Sequence, residues 1–343
     1  MGCFERPASL HGPKYGRRSR SGPVPPFWYG AGAGGRLKLT PMRVRTGLHL
    51  TNFSFPGIAE PESFKHAVAV AVAAEAAGFD CLWVNDHLIE AQPPGLGGFR
   101  PEAYVFLTTV AARTSTLRLG ALASSIFFRN PALLARMVVT LDQASDRRAI
   151  LGVGAGHPMT EGEHLRFGLD FPPIKLRMDR LEMVLPELRG MLGDSIPIMI
   201  AGSGEHRLLR IVARYGDMCN LSMPAGDTLE TVRHKLEVLR AHCSAVGRDF
   251  STITKTYKAV VAPDSSPNAD PSTGLFARDP DHIRDGAQAF VDAGIDEVIV
   301  QIADLQDLRA IELAGRALAG LQPRNQAAAV APGPVPAGGG DGS

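Results

Sequence analysis

The chain has 343 residues, of which 45% are hydrophobic and 21% charged, with a formal net charge of +1. That apolar content supports a large core, while the near-neutral balance supplies no global field for nucleic acid or an anionic membrane surface. The four cysteines, Cys3, Cys81, Cys219 and Cys243, form no C-x-x-C pair. Their scatter supports neither a disulfide framework nor a zinc site and suits a reducing cytoplasm, so no metal is expected.

Residues 1–41 are rich in Gly, Pro, Ser and Arg without a hydrophobic period. Such a segment buries too little surface to offset its ordering entropy and is expected to be disordered. Met42 stands directly before the first strand-like run and is expected to be the natural start. The basic residues Lys14, Arg17, Arg18 and Arg20 precede no apolar run, which argues against a secretory signal. The longest apolar stretch, Ala67–Ala77, contains Glu75 and is too short for a bilayer, so no membrane association is expected.

From there the pattern alternates. Strands are expected at Val44–Leu50, Cys81–Val84, Leu117–Leu122, Ala149–Val153, Ile196–Ala201, Met218–Leu221, Ile253–Val261 and Glu297–Ile302. Helices are expected at Glu62–Ala77, Ala103–Arg113, Ala132–Ala144, Lys175–Leu192, His206–Tyr215, Thr228–Val246, Asp281–Ala293 and Leu305–Ala319. Glycines after Ala77 and Ala293 serve as helix stops. Strand–helix alternation argues for parallel strands joined by right-handed crossovers. The count is about eight βα units, the number that closes a TIM barrel. A doubly wound open sheet is the rival. The domain is expected over residues 42–321, followed by an Ala/Pro/Gly-rich tail at 322–343.

In a barrel the reactive residues lie at the C-terminal ends of the strands. The second strand ends in Asn85-Asp86-His87. His87 can transfer a proton near neutrality and Asp86 can set its tautomer; alternatively Asp86 caps the next segment and His87 is structural. The third strand leads into Leu122-Ala123-Ser124-Ser125, small enough to let a planar ring approach, or simply a tight loop. The fourth leads into Gly154-Ala155-Gly156-His157, with Thr160, Glu161 and Glu163 close behind. Its glycines can expose backbone N–H groups to a ligand, but the run is not a dinucleotide fingerprint. The fifth ends in Ala201-Gly202-Ser203-Gly204 before a helix, either a phosphate site or an ordinary turn capped by Ser203. No H-E-x-x-H, G-x-S-x-G or Walker pattern is present.

Several segments, in this order, resemble the luciferase-like family of flavin- and F420-dependent oxidoreductases over about residues 43–320. They are Ala74–Asp80, Val84–His87, Phe128–Pro131, Thr140–Asp142, Gly152–Gly156, Phe167-Gly168 to Phe171–Pro173, Arg177–Glu182 and Ile200–Glu205. The resemblance implies a (β/α)₈ barrel, small organic substrates, F420 or FMN as cofactor, and a homodimer. It places Asp86 and His87 against the deazaflavin ring, with His87 as proton carrier oriented by Asp86. It implies a non-prolyl cis peptide at Leu122-Ala123 supporting the ring. Gly154, Ala155, Gly156 and Thr160 would line the cofactor, and Ala201, Gly202, Ser203 and Gly204 would bind its phosphate. At His157 some members carry a carboxylate that helps protonate substrate, so histidine there is a departure: His157 is either a general acid or a residue that lines the pocket. A second departure is the direct passage from Leu192 to Ile196, where relatives carry an excursion. The resemblance leaves three functions open: F420-dependent hydride transfer, an FMN-dependent monooxygenase, and a non-catalytic binding barrel.

Overall fold

The computed structural model describes residues 43–89, 100–202, 204–221, 228–262, 272, 274–303 and 305–324. The expectations for residues 1–41, for Met42, for 325–343 and for Ser203 lie outside the described residues.

Among the described residues ten parallel strands form one sheet: β1 (Arg45–Leu50), β2 (Cys81–Val84), β3 (Arg118–Ala121), β4 (Ser124–Ser125), β5 (Ala149–Gly154), β6 (Ile198–Ala201), β7 (Met218–Asn220), β8 (Thr254–Val261), β9 (Leu275–Phe276) and β10 (Glu297–Ile302). They run in the order β10-β1-β2-β3-β5-β6-β7-β8, and β10 also pairs with β8. That last pairing closes the ring into an eight-stranded barrel and removes the open-sheet rival. The helices are α1 (Glu60–Ala76), α2 (Ala103–Ala111), α3 (Pro131–Ala144), α4 (Glu161–Arg166), α5 (Ile174–Leu192), α6 (Leu208–Tyr215), α7 (Leu229–Ala245), α8 (Pro280–Ala293) and α9 (Arg309–Leu318).

Two cores follow from the alternation of side chains along each strand. Outward positions such as Leu48, Leu82, Leu119, Leu151 and Val300 pack under the helices in one large cluster. Inward positions fill the barrel with Cys81, Trp83, Ile150, Met199, Met218 and Ile299. Trp83 is fully buried there and donates its indole N–H to Glu297 Oε1 at 3.0 Å. The barrel axis is therefore plugged below, and only its C-terminal end is available for a site.

Three boundaries differ from expectation in ways that matter. The expected strand at Leu117–Leu122 stops at Ala121, turns through a cis Leu122–Ala123 peptide where the resemblance placed one, and resumes as β4. The helix expected from His206 begins only at Leu208, because Glu205–Arg207 form a turn. An unforeseen helix, α4, sits between β5 and α5. Its six residues are too few to carry a periodic signal, so the sequence pattern could not reveal it. The short connection from α5 to β6 is as expected, and Gly193 ends the helix.

Candidate active site at the barrel mouth

The site forms where the loops after β2, β4 and β5 converge. His87, three residues past the end of β2, is about one-third exposed, and its Nδ1 lies 2.8 Å from Glu163 Oε2. Glu163 is buried on α4, and its other oxygen accepts from the backbone amides of Leu88 and of Ile89, the latter at 3.1 Å. Burial pushes the Glu163 carboxyl up, but the His87 hydrogen bond and charge, with the two amides, outweigh it and hold the group below the ordinary glutamate value. An ionised Glu163 only accepts. It therefore fixes the Nδ1–H tautomer of His87 and leaves Nε2 outside that pair.

The expectation that Asp86 orients His87 is corrected by this geometry. Asp86 is buried, and Arg129 grips its two oxygens at 2.5 and 2.9 Å. Arg129 also pairs with Glu102, the N-cap of α2, and lies over the Tyr104 ring. Asp86 thus pins the loop before α3 to the end of β2, and the orienting carboxylate is Glu163. Asp86 and Arg129 are 43 residues apart, so only closure of the βα units brings them together.

Glu163 is followed on α4 by His164, which is fully buried. His164 Nε2 lies 3.1 Å from Ser125 Oγ on β4, and its Nδ1 lies 2.7 Å from the Thr160 carbonyl. Its ring stacks on Phe128 at 4.3 Å and tilts against Phe171 at 4.8 Å. Adjacent residues of one short helix therefore hold His87 on one side and β4 on the other. Sequence reasoning passed over Glu163 and His164 as partners, and the one legible signal was their closeness to the glycine run.

The turn Gly154-Ala155-Gly156 is backed by buried Arg177, which donates to the Gly156 carbonyl at 2.6 Å and the Ala155 carbonyl at 3.2 Å. Gly156 has φ +81°, where a side chain would also crowd Ser125 and Phe171. Gly154 faces Ala123 and Ala201: a methyl there would lie 3.9 Å from the Ala123 Cβ and 3.5 Å from the Ala201 carbonyl. These three residues make a wall without side-chain bulk on one side of the mouth, which fits a flat ring. Leu122, almost buried, closes the wall from below.

The remaining expected residues sit less centrally. His157 is exposed, and its Nδ1 accepts from the Met159 amide at 3.2 Å, so it caps its own turn. Thr160 is buried, and its hydroxyl donates to the His157 carbonyl at 2.7 Å within that turn. Gly202 has φ +130°, and a side chain there would strike Leu208. Gly204 is exposed and accepts from the Leu209 amide at 3.1 Å. Among the described residues no group of three His, Cys, Asp or Glu side chains is placed to hold a metal ion. None of the described helices is long and apolar enough to cross a membrane.

Acid should loosen this arrangement through Glu163. Its folded-state pKa is depressed, so its contribution is complete above the ordinary value of 4.5 and is lost as pH falls through the lower folded value. Acid titrations of the native chain and Glu163→Gln should converge below that range and separate above it, with the native chain more stable. Parallel curves at all pH values would contradict the assignment.

The fold is a closed βα barrel whose mouth sets a carboxylate-held histidine beside a wall without side-chain bulk. The luciferase-like monooxygenase family matches residues 39–182. An F420-dependent glucose-6-phosphate dehydrogenase of Mycolicibacterium fortuitum is 30% identical over 241 residues, covering 61% of this chain and 68% of that protein. One from Kineococcus radiotolerans is 29% identical over 224 residues, covering 57% of this chain, which spans 64% of the relative's length. Among solved structures, an F420-dependent secondary alcohol dehydrogenase in complex with an F420-acetone adduct superposes with a TM-score of 0.66. It is 17% identical, with 82% of this chain and 100% of that chain covered, and so speaks for the fold alone. The chain belongs to the luciferase-like monooxygenase family.

Proposed function

We propose that this chain is an F420-dependent oxidoreductase that moves a hydride between the deazaflavin and a small organic substrate. The observation that carries the reading is His87 held at the mouth by buried Glu163 through Nδ1, with Nε2 outside that pair. The relatives named above as F420-dependent support it. A bound deazaflavin supplies the hydride chemistry, and the protein supplies binding, orientation and electrostatics. Ala123, Gly154 and Ala201 would receive the face of the ring, Leu122 would support it, and the turn at Gly202–Gly204 would take the phosphate.

In the alcohol-oxidising direction the hydroxyl proton passes to His87 Nε2 as the carbon gives up its hydride and becomes a carbonyl. In the reducing direction His87 returns the proton to the new alkoxide oxygen. Glu163 balances the imidazolium in both. His157, bound into its own turn, is an auxiliary polar group.

Titration with F420 and, separately, FMN tests the reading through absorbance and fluorescence. Saturable binding of F420 in preference to FMN is expected. Preference for FMN would move the reaction to reduced flavin and oxygen, and binding of neither would leave a non-catalytic barrel. Gly154→Val adds two methyls to the wall while its Cβ keeps ordinary contacts. It should weaken F420 binding at a cost of about 1–3 kcal/mol without unfolding the chain. Unchanged affinity would remove the wall from the cofactor site.

A homodimer is part of the same reading. Val105 on α2, Leu133 on α3 and Leu176 and Met183 on α5 are each more than half exposed. The three helices pack side by side, so these side chains share one face. Light scattering should give twice the chain mass, and Leu133→Glu should shift it toward monomer. A monomer at micromolar concentration would refute the dimer. A cytoplasmic location follows from cysteine usage as before.

A further inference from the structure

Helix α4 is held by polar side chains rather than by an apolar face. Of its six residues only Glu163 and His164 are buried, while Glu161, Gly162, Leu165 and Arg166 are exposed. A helix this short has too few internal hydrogen bonds to hold its own direction, so its orientation must come from what it packs against. Leu165, the one large apolar residue in it, is 63% exposed and contributes nothing. Its two buried side chains do the docking. Glu163 reaches His87 and the Leu88 and Ile89 amides, and His164 reaches β4.

The second contact is directional. The Thr160 carbonyl can only accept, so His164 Nδ1, 2.7 Å away, carries a proton. In the neutral ring Nε2 then accepts from the Ser125 hydroxyl at 3.1 Å, and Ser125 Oγ accepts from the Phe127 amide at 3.3 Å. A phenyl ring could stack on Phe128 and Phe171 as well, without the cost of burying two ring nitrogens. What the imidazole adds is a bridge between elements 39 residues apart. One nitrogen holds Thr160, the N-cap of α4, and the other holds β4.

Ser125 also lies at the wall. It pairs in register with Gly154, and a methyl on Gly156 would lie 3.2 Å from its hydroxyl oxygen. We propose that Ser125 and His164 are positioning residues, whose hydrogen bond sets α4 against β4 and so holds Glu163 on His87 Nδ1. The role rests on the hydride-transfer reading, in which His87 carries the proton. The bridge registers that proton carrier to the wall, so that carrier and ring keep one geometry toward the substrate. His164 itself moves no proton to substrate, because both of its nitrogens are engaged within the protein.

Imidazole nitrogen NMR of the full chain without cofactor tests the proposal, with the His87 signals assigned by their loss in His87→Gln. Above the ordinary histidine titration range the native chain should show a protonated Nδ1 and a bare Nε2. Ser125→Ala removes one oxygen from the bridge, and His164→Phe keeps the stacked ring and removes both nitrogens. Each variant, checked by circular dichroism for native fold, is expected to move the His87 pattern toward the tautomer mixture of a solvated imidazole. His164→Gln, whose side-chain oxygen can still accept from Ser125, should restore the native pattern. Single-turnover hydride transfer in Ser125→Ala should fall about two- to tenfold, the factor that one neutral hydrogen bond supplies. A merely structural role would lower the melting temperature and leave the His87 nitrogens unmoved. That result in Ser125→Ala, which alters packing least, would overturn the proposal. F420 titration of the unaltered chain in parallel separates the two readings. Binding of F420 with an unmoved His87 pattern in Ser125→Ala sinks the bridge alone. A moved pattern without F420 binding sinks the hydride-transfer reading and leaves the bridge standing.

Discussion

Replacement of His87 by alanine is expected to lower single-turnover hydride transfer by about 10²- to 10⁴-fold, the range supplied by a positioned proton carrier. F420 affinity should hardly move, because the wall of Ala123, Gly154 and Ala201 is built from other strands. The change leaves Glu163 without its side-chain partner, but the Leu88 and Ile89 amides still satisfy the carboxylate. The loop after β2 should therefore hold its shape. Glu163→Gln should give a smaller loss, since an amide oxygen can still accept from Nδ1 but cannot balance the imidazolium. The decisive measurement is the rate of deazaflavin reduction with enzyme in excess, across pH. Intact turnover in His87→Ala would end the assignment of His87 as proton carrier, whatever the cofactor affinity.

The second large effect is on stability. Asp86→Ala strands the Arg129 guanidinium, which is only 9% exposed. Breaking one side of a buried ion pair costs about 3–5 kcal/mol, and the remaining partner Glu102 places the expected loss near the lower end. Urea unfolding of the native and variant chains would measure it. Asp86→Ala combined with Arg129→Met removes both charges and should recover much of the loss, as the desolvation cost disappears with the pair. A loss under about 1 kcal/mol in the single variant would show that Asp86 does not anchor the loop. The pair of measurements also separates Asp86 from His87: the first acts on folding, the second on chemistry.

Much of this molecule is legible without coordinates because its signals are local. Strand runs such as Cys81–Val84 and Glu297–Ile302 coincide with the observed elements, since strands buried on both faces read as short continuous apolar runs. His87 stands out because a polar trio follows an apolar strand. The break at Leu122–Ala123 left no mark in the hydrophobic period, and only family resemblance anticipated it. Helix α4 was invisible for the same reason: one and a half turns cannot establish a period.

The amino-acid sequence by itself determined the βα alternation, the number of units and the strand ends where chemistry can sit. Those follow from hydrophobic periodicity and turn chemistry, which act between near neighbours. Only the tertiary structure decided which groups meet. His87 takes Glu163 from 76 residues away, and Asp86 takes Arg129. Adjacency in the chain suggested Asp86 as the partner of His87, but the partners were chosen by barrel closure. Closure brings distant loops to one mouth, and burial there obliges every charge to find a counter-charge or hydrogen bond.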